Sequence, residues 1–106
     1  MARKRVVFKA MSPLGYRVVL TRNRWREIIR YKHPALAGHE ADVRECITDP
    51  EAIRESAKDS EVHLYYRLSE RDQLCVVVGY ENPNERFVVT IYFTKNIKKG
   101  RALWTK

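Results

Sequence analysis

A chain of 106 residues, 44% of them hydrophobic, is long enough to bury one core without disulfides or metals, so we expect a single domain over residues 1–106. No apolar stretch approaches the ~20 residues of a membrane helix, and no signal peptide is recognisable. Cys46 and Cys75 lie far apart and match no zinc or CxxC spacing, which indicates buried thiols in a cytoplasmic protein without a metal or cofactor.

The net charge of +8 is concentrated toward the two ends of the chain. Residues 3–32 hold ten Lys/Arg and one acid, and residues 95–106 hold five Lys/Arg and no acid, whereas residues 33–61 hold three Lys/Arg and eight acids. This distribution favours a polyanionic partner, most often nucleic acid. The same charge would also suit an acidic protein partner, or it could serve solubility alone.

The N-terminal segment predicts a pair of strands. Arg5 to Lys9 and Tyr16 to Leu20 are short apolar runs, and Ser12-Pro13-Leu14-Gly15 between them has the Pro and Gly of a turn. These strands either form a hairpin or flank the main sheet.

A first helix is predicted from Arg22 to about Lys32, with Thr21 as its N-cap. Its apolar stripe consists of Trp25, Ile28 and Ile29. Pro34 disfavours helical geometry at the residue before it, so the helix is expected to end near His33.

A second helix is predicted from about Glu40 to Thr48, with Val43, Cys46 and Ile47 as its buried stripe. Asp49 and Pro50 then have the N-cap and first-turn pattern of a further helical turn. Its apolar side would continue through Ile53 and Ala57.

From Val62 onward the pattern is that of strands. The predicted strands cover residues 62–68, 74–78 and 87–95, with a possible short edge strand at 102–104. The expected fold class is therefore α+β, in which N-terminal strands precede two to three helices packed on a C-terminal antiparallel four-stranded sheet.

The strand at residues 87–95 has two unlike faces, because strand side chains alternate. We expect Phe87, Val89, Ile91 and Phe93 to face the core, and Val88, Thr90, Tyr92 and Thr94 to face the other way. If the faces of neighbouring strands agree, the second set lies beside His63, Tyr65 and Arg67. One β-bulge would invert one of the two sets.

Each polar candidate on these elements also has a structural interpretation. Arg67 on a central strand needs an anionic partner, which is either a ligand or a carboxylate such as Glu45 or Glu70. Thr90 and Tyr92 are also common in strands for packing reasons, and a histidine at a helix end is often only a cap. His39 and His63 are interpreted as structural or surface residues.

A series of short segments in a fixed order resembles a known family. The segments are Val18-Val19-Leu20-Thr21 leading to Trp25 and Ile28, His33-Pro34, Pro50 with Ile53, Tyr66-Arg67, Leu74 to Val78, Val89-Thr90-Ile91-Tyr92, and Leu103-Trp104. Together they resemble the phage-associated branch of the barnase–EndoU–colicin–RelE-like nuclease superfamily, over residues 15–104. No single motif carries the resemblance, which depends on the order and spacing of the segments.

The resemblance implies a RelE- or barnase-like fold and a small metal-independent ribonuclease, used as the toxin of a toxin–antitoxin pair and neutralised by a partner protein. It implies that RNA is cleaved when its own 2′-hydroxyl attacks the adjacent phosphorus. The implied catalytic residues are His33, Arg67, Thr90 and Tyr92, and the implied RNA contacts are Arg24, Arg26, Arg30, Lys32, Tyr65, Lys95, Lys98, Lys99 and Arg101.

In this interpretation His33 acts as acid or base, Arg67 binds the non-bridging phosphate oxygens, and Thr90 with Tyr92 orients the phosphate. The chain lacks a second catalytic histidine or a glutamate at a matching position, so the general base is unassigned. Two alternatives are a non-catalytic nucleic-acid-binding module of the same fold and a basic protein-interaction domain.

Overall fold

The computed structural model describes residues 5–70, 72–98 and 100–106, and within these ranges the chain is an α+β domain. Seven strands of the described ranges form one mixed sheet. They are β1 (Val6–Met11), β2 (Arg17–Thr21), β3 (Ala52–Glu55), β4 (His63–Ser69), β5 (Asp72–Asn82), β6 (Glu85–Thr94) and β7 (Ala102–Thr105). Their order across the sheet is β1-β2-β6-β5-β4-β3-β7.

Two helices are joined by irregular turns. α1 (Arg22–Glu27) continues as a π-helical turn (Ile28–Lys32), a 3₁₀ turn (Pro34–Leu36) follows, and α2 covers Glu40–Thr48. The predicted N-cap is confirmed, because the Thr21 Oγ1 accepts a hydrogen bond from the Arg24 N–H at 3.2 Å. The predicted helix end at His33 and the predicted bounds of α2 are also confirmed.

The sheet is larger than the predicted four-stranded antiparallel sheet. β1 and β2 form the expected antiparallel hairpin, but β2 also pairs in parallel with β6, with Val18 opposite Arg86 and Val19 opposite Phe87. A parallel pair between strands so far apart in sequence has no local turn signal, which is why the pattern did not reveal it.

The predicted helical turn after Pro50 is wrong, because residues Ala52–Glu55 form the strand β3. Its Ile53 lies opposite Tyr65 on β4 and opposite Trp104 on β7, so this four-residue segment is extended. Four residues are too few for a helical or strand periodicity to be recognised, and the two long-range pairings decide the outcome. β7 confirms the predicted short edge strand.

The main core lies between α1, α2 and one face of the sheet, which we call the helix face. Its buried side chains include Trp25 and Ile28 after β2, the α2 stripe Val43, Cys46 and Ile47, and the sheet residues Val18, Leu20, Leu74, Val76, Val88 and Ile91. A smaller cluster of Leu64, Tyr66 and Cys75 lies on the opposite face, which we call the outer face. Both cysteines are buried free thiols, as predicted.

A bulge in β6 divides its predicted core face. Val88 lies opposite Val78 and Ile91 lies opposite Val76, so both are on the helix face. Thr90 lies opposite Val77 on the outer face. The register of the pairing shifts between Val77 and Val78. Phe87 and Val89 contact the outer side of Gly79, where an added Cβ would lie 2.9 Å from the Phe87 ring and 3.0 Å from Val89. The prediction that Phe87 and Val89 share the core face with Ile91 is therefore wrong.

Among the described residues, no helix is long and apolar enough to cross a membrane.

Candidate nucleic-acid site

A groove of about 410 Å³ lies between the first helical segment and β6. We call it the β6 groove, and its lining residues are Arg24, Glu27, Ile28, Tyr31, Lys32, Val89 and Thr90. β2 pairs with β6 only over residues 17–19, and α1 begins directly after β2. α1 and the π turn therefore flank β6 beyond the end of β2, which leaves the groove between them.

The lining residues reach the groove for identifiable backbone reasons. Arg24, Glu27 and Tyr31 are spaced by three and four residues, so they lie on one side of a helical segment. On β6 the bulge brings the adjacent residues Val89 and Thr90 into the same lining, because a bulge interrupts the alternation of side chains.

The charge of the groove is predominantly positive. An Arg24 Nη1 lies 3.3 Å from the Glu27 Oε2, with both side chains about half exposed. Within the part of the chain that the structure describes, Lys32 forms no ion pair, and it is exposed. Arg26 and Arg30, two further predicted RNA contacts, are exposed on the same helical segment. The surface beside β6 is therefore suited to an anion.

Tyr31 is the most exposed of the large hydrophobic side chains in the described ranges, with 72% of its surface in water. The Arg30 guanidinium lies 5.4 Å from the centroid of its ring. An aromatic ring next to cationic side chains at a groove is a typical contact for a nucleobase.

A smaller hollow of about 230 Å³ adjoins the β6 groove through Arg24, which lines both. Val19, Thr21, Glu81, Phe87 and Val88 complete its lining. The surface beside β6 is thus concave over two successive stretches.

On the outer face beyond the β6 groove, Lys98 packs beside Tyr92. The Lys98 Nζ lies 5.3 Å from the Tyr92 ring centroid, and the Lys98 N–H donates to the Tyr66 hydroxyl at 3.2 Å. Burial raises the pKa of Tyr92 well above its ordinary value, so the hydroxyl stays protonated. Tyr92 is half-buried beneath a lysine, and it is less accessible to a base than Tyr31.

Two other predicted RNA contacts in the C-terminal part of the chain lie at the surface. Lys95 and Arg101 are exposed and form long ion pairs, at 3.6 Å to Asp72 and 3.8 Å to Glu55 respectively. Exposed pairs of this length are weak, so both cations are available to an anionic ligand. Lys99, which was also predicted to contact RNA, lies outside the described residues.

Arg67 does not share a face with Thr90 and Tyr92. It lies opposite Leu74 on the helix face, where its Nη2 is 2.8 Å from the Glu45 Oε1 and its Nη1 is 3.3 Å from the Asp49 Oδ2. The predicted grouping of these residues is therefore wrong, and the alternative of Glu45 as the partner of Arg67 is confirmed. The physical reason is that the C-terminal end of α2 brings two carboxylates over this position.

Tyr65 is fully buried on the helix face, which contradicts its predicted contact with RNA. Its hydroxyl donates to the Tyr16 hydroxyl and is also hydrogen-bonded to Ser12. The Tyr16 hydroxyl is in turn 2.8 Å from the His63 Nδ1. These four side chains form a polar network that joins the N-terminal hairpin to β4.

His63 has the electrostatics of a structural residue. Burial, and then the nearby Arg86 charge, lower its pKa to about 4, so the imidazole is neutral at pH 7. In the tautomer that carries its proton on Nε2, the neutral imidazole offers Nδ1 as the acceptor for the Tyr16 hydroxyl hydrogen, while the Tyr16 oxygen accepts from Tyr65. The structural interpretation of His63 fits this geometry.

His33 ends the π turn directly after Lys32, and its backbone N–H donates to the Ile28 carbonyl at 2.7 Å. It is half-buried, and within residues 5–70, 72–98 and 100–106 its imidazole has no hydrogen-bonded partner. His39 differs, because its Nδ1 is 2.8 Å from the Asp42 Oδ2. The catalytic role of His33 remains a prediction.

The structure thus assembles only part of the predicted set. Thr90, Arg24 and Lys32 meet in one groove at the edge of β6 beyond the end of β2, while Arg67 and Tyr65 lie on the helix face, farther along the sheet on β4. Two groove residues, Glu27 and Tyr31, were missing from the prediction. The available signal for Glu27 was that it is the single acid among ten Lys/Arg in residues 3–32, and Tyr31 stands between Arg30 and Lys32.

No group of three or more His, Cys, Asp or Glu side chains in the described ranges is arranged to hold a metal ion. Comparison with known proteins adds no identity, because no family model, curated protein or solved structure matches the chain.

Proposed function

We propose that the chain is a metal-independent RNA endonuclease whose active site is the β6 groove. The observation that carries the proposal is the lining of this groove, which combines two cations, a carboxylate and a hydroxyl in Arg24, Lys32, Glu27 and Thr90. The resemblance of the sequence to the phage-associated nucleases supports the same activity independently of the groove.

Glu27 is the proposed general base. Its carboxylate accepts the proton of an RNA 2′-hydroxyl while the 2′-oxygen forms a bond to the adjacent phosphorus and the bond from phosphorus to the 5′-oxygen breaks. The products are a 2′,3′-cyclic phosphate and a 5′-hydroxyl. Glu27 supplies the acceptor that the sequence pattern left unassigned, and its pairing with Arg24 keeps both groups at the groove.

Arg24 and Lys32 are proposed to bind the phosphate whose charge grows in the transition state. A guanidinium presents planar N–H donors to two phosphate oxygens, and an ammonium acts as a mobile point charge. The Thr90 hydroxyl is the neutral donor on the opposite wall of the groove. Such donors act most strongly when they are fixed before the reaction, as a side chain on a central strand is.

His33 is the proposed general acid that protonates the leaving 5′-oxygen. Histidine is the side chain most often used to transfer a proton to or from a reacting group, and the other basic residues of the same segment are lysines and arginines. The proposal for His33 is supported by its position directly after Lys32 and by an imidazole without a hydrogen-bonded partner among the described residues.

The proposal includes the cellular setting that the resemblance implies, a cytoplasmic toxin neutralised by an antitoxin protein. An acidic product of a neighbouring gene that binds the purified chain and blocks RNA cleavage would support it. A neighbouring product that leaves cleavage unchanged would argue against the antitoxin, while the nuclease activity would stand or fall separately.

The nuclease is tested by incubating purified protein with total RNA in EDTA and measuring initial cleavage rates. Glu27→Gln and His33→Ala should each lower the rate by about 10²–10⁴-fold, the usual contribution of a general acid or base. The matched controls are Glu61→Gln, an exposed acid outside the groove, and His39→Ala, a histidine paired with Asp42. No cleavage by the wild type, or equal rates for all five proteins, would contradict the proposal.

A second candidate function is non-catalytic binding of nucleic acid by the same surface. It is favoured by the Arg24–Glu27 ion pair, because a paired carboxylate need not act as a base, and by the exposed cations Lys95 and Lys98. This function predicts salt-dependent RNA binding with no product, and weaker binding when Lys95 and Lys98 are changed to Glu.

A further inference from the structure

We infer that Tyr31 is a stacking platform for an unpaired nucleobase, so that the β6 groove takes single-stranded RNA and not duplex. The inference rests on the proposed function and defines its substrate class. Its first observation is that an aromatic ring with 72% of its surface in water lines a groove together with the cations Arg24 and Lys32. Base stacking on an exposed ring, with cations on the backbone, is the usual design of sites for single-stranded nucleic acid.

The geometry around Tyr31 leaves its ring available to a base. Arg30 lies 5.4 Å from the ring centroid, and its planar guanidinium can extend a stacked arrangement without burying the tyrosine. Tyr31 belongs to a π-helical turn, a conformation that is rare and that occurs frequently at functional sites.

The other described tyrosines are unsuited to this role. Tyr16, Tyr65 and Tyr66 are buried. Tyr92 is half-buried beside Lys98, and Tyr80 is 40% exposed and lines neither the β6 groove nor the hollow that adjoins it. The aromatic contact to RNA in this inference is therefore Tyr31, and not Tyr65, which the sequence had predicted to contact RNA.

The preference for a single strand follows from the chemistry of stacking. A base in a duplex already has neighbours on both faces, so only an unpaired base can offer a face to Tyr31. The groove volume of about 410 Å³ is that of a small-molecule pocket, which suits one nucleotide and not a helix. Arg24 and Lys32 would then contact the phosphates next to that nucleotide.

The test measures binding and not cleavage. A fluorescent single-stranded 2′-deoxy oligonucleotide of mixed sequence, which lacks the attacking 2′-hydroxyl, is titrated by polarisation against the wild type, Tyr31→Ala, Tyr31→Phe and Tyr80→Ala. The same oligonucleotide annealed to its complement provides the duplex probe. Circular dichroism checks that each variant is folded.

We expect Tyr31→Ala to weaken single-strand binding by about 5–100-fold, and Tyr31→Phe to retain it within about twofold, because stacking uses the ring. Duplex binding should change by less than about twofold in both variants, and Tyr80→Ala should resemble the wild type. Three results would overturn the inference: no binding by the wild type, equal binding by wild type and Tyr31→Ala, or an equal loss on duplex.

The outcome is separable from that of the proposed function, because the probe cannot be cleaved by 2′-hydroxyl attack. Loss of single-strand binding in Tyr31→Ala combined with no RNA cleavage by the wild type supports the stacking site and contradicts the nuclease. Cleavage by the wild type with unchanged binding in Tyr31→Ala contradicts the stacking site and supports the nuclease.

Discussion

Polar side chains on the helix face are paired with other side chains, whereas those of the β6 groove include exposed ones. On the helix face, Arg67 is paired with Glu45 and Asp49, and the Tyr65 hydroxyl is bonded to Tyr16 and Ser12. In the β6 groove, at the edge of β6 beyond the end of β2, Lys32 and Tyr31 are exposed. A polar residue on this scaffold becomes structural where another element supplies its partner, and it is available to a ligand where none does.

The largest effect on stability is expected at Tyr65, the centre of the helix-face network. Tyr65→Ala removes a fully buried aromatic ring and should lower the free energy of unfolding by about 3–5 kcal/mol, as measured by urea denaturation. Tyr65→Phe keeps the ring but deprives the Tyr16 and Ser12 hydroxyls of a partner, which should cost about 1–3 kcal/mol. The matched control is Tyr31→Ala on the groove side, with an expected change within about 0.5 kcal/mol. Equal losses at the two tyrosines would refute the comparison.

An intermediate effect on stability is expected at Arg67. Arg67→Ala should lower the free energy of unfolding by about 1 kcal/mol, because its carboxylate partners are about half exposed and can be rehydrated. The loss should shrink in 1 M salt, which screens the pairs in the wild type. RNA cleavage at a temperature well below the unfolding midpoint should be unchanged.

Arg24→Ala is the matched control for the unfolding and cleavage measurements on Arg67→Ala. The ion pair of Arg24 with Glu27 is also on the surface, but it lies in the β6 groove. Arg24→Ala should change the free energy of unfolding by no more than about 0.5 kcal/mol and reduce RNA cleavage. If Arg67→Ala abolished cleavage in a fully folded protein, the assignment of Arg67 as structural would be wrong.

The next effect concerns the pH dependence of stability and acts through His63. Its pKa is lowered to about 4 in the folded chain, first by burial and then by Arg86. The unfolded chain binds this proton near the ordinary histidine pKa of about 6.5, so the stability contributed by neutral His63 is present above that pH and is lost as the pH falls toward 4.

His63→Gln should flatten the decline of the unfolding free energy between pH 6.5 and pH 4, as measured by urea titrations across this range. Asp49 contributes mainly at lower pH than His63. The pKa of Asp49 is lowered, first by a hydrogen bond from Lys106, so the stability that it contributes is lost mainly as the pH falls through and below its ordinary value of 3.8. An undiminished slope in His63→Gln would show that another group causes the pH dependence.

The parts of the fold that could be predicted are those encoded by short-range patterns. The α2 bounds followed from the 3.6-residue spacing of Val43, Cys46 and Ile47, and the β1–β2 hairpin followed from the Pro and Gly between its strands. The strands β4, β5 and β6 followed from their β-branched and aromatic residues.

The parts that could not be predicted depend on contacts between distant residues. The strand state of Ala52–Glu55 is decided by pairing with β4 and β7, and the parallel pairing of β2 with β6 has no local signal. The β6 bulge reassigned the side chains of Phe87 and Val89 because a single inserted residue reverses the alternation that follows it.

The candidate site shows the same division. Thr90, Arg24 and Lys32 were recognisable from their chemistry and from the resemblance, but their meeting in one groove depends on where β2 ends and α1 begins. Glu27 was visible only as the acid in a basic segment. Arg67 was misassigned because the sequence does not fix which face of β4 meets α2.

The most direct test of the central claim, that function resides in the β6 groove and not on the helix face, is a paired assay of Glu27→Gln and Arg67→Ala. Initial rates of RNA cleavage in EDTA and urea unfolding are measured on the same preparations. We predict that Glu27→Gln keeps its stability and loses about 10²–10⁴-fold in rate, while Arg67→Ala loses about 1 kcal/mol of stability and keeps its rate. The reverse pattern, with cleavage dependent on Arg67 and indifferent to Glu27, would contradict the claim.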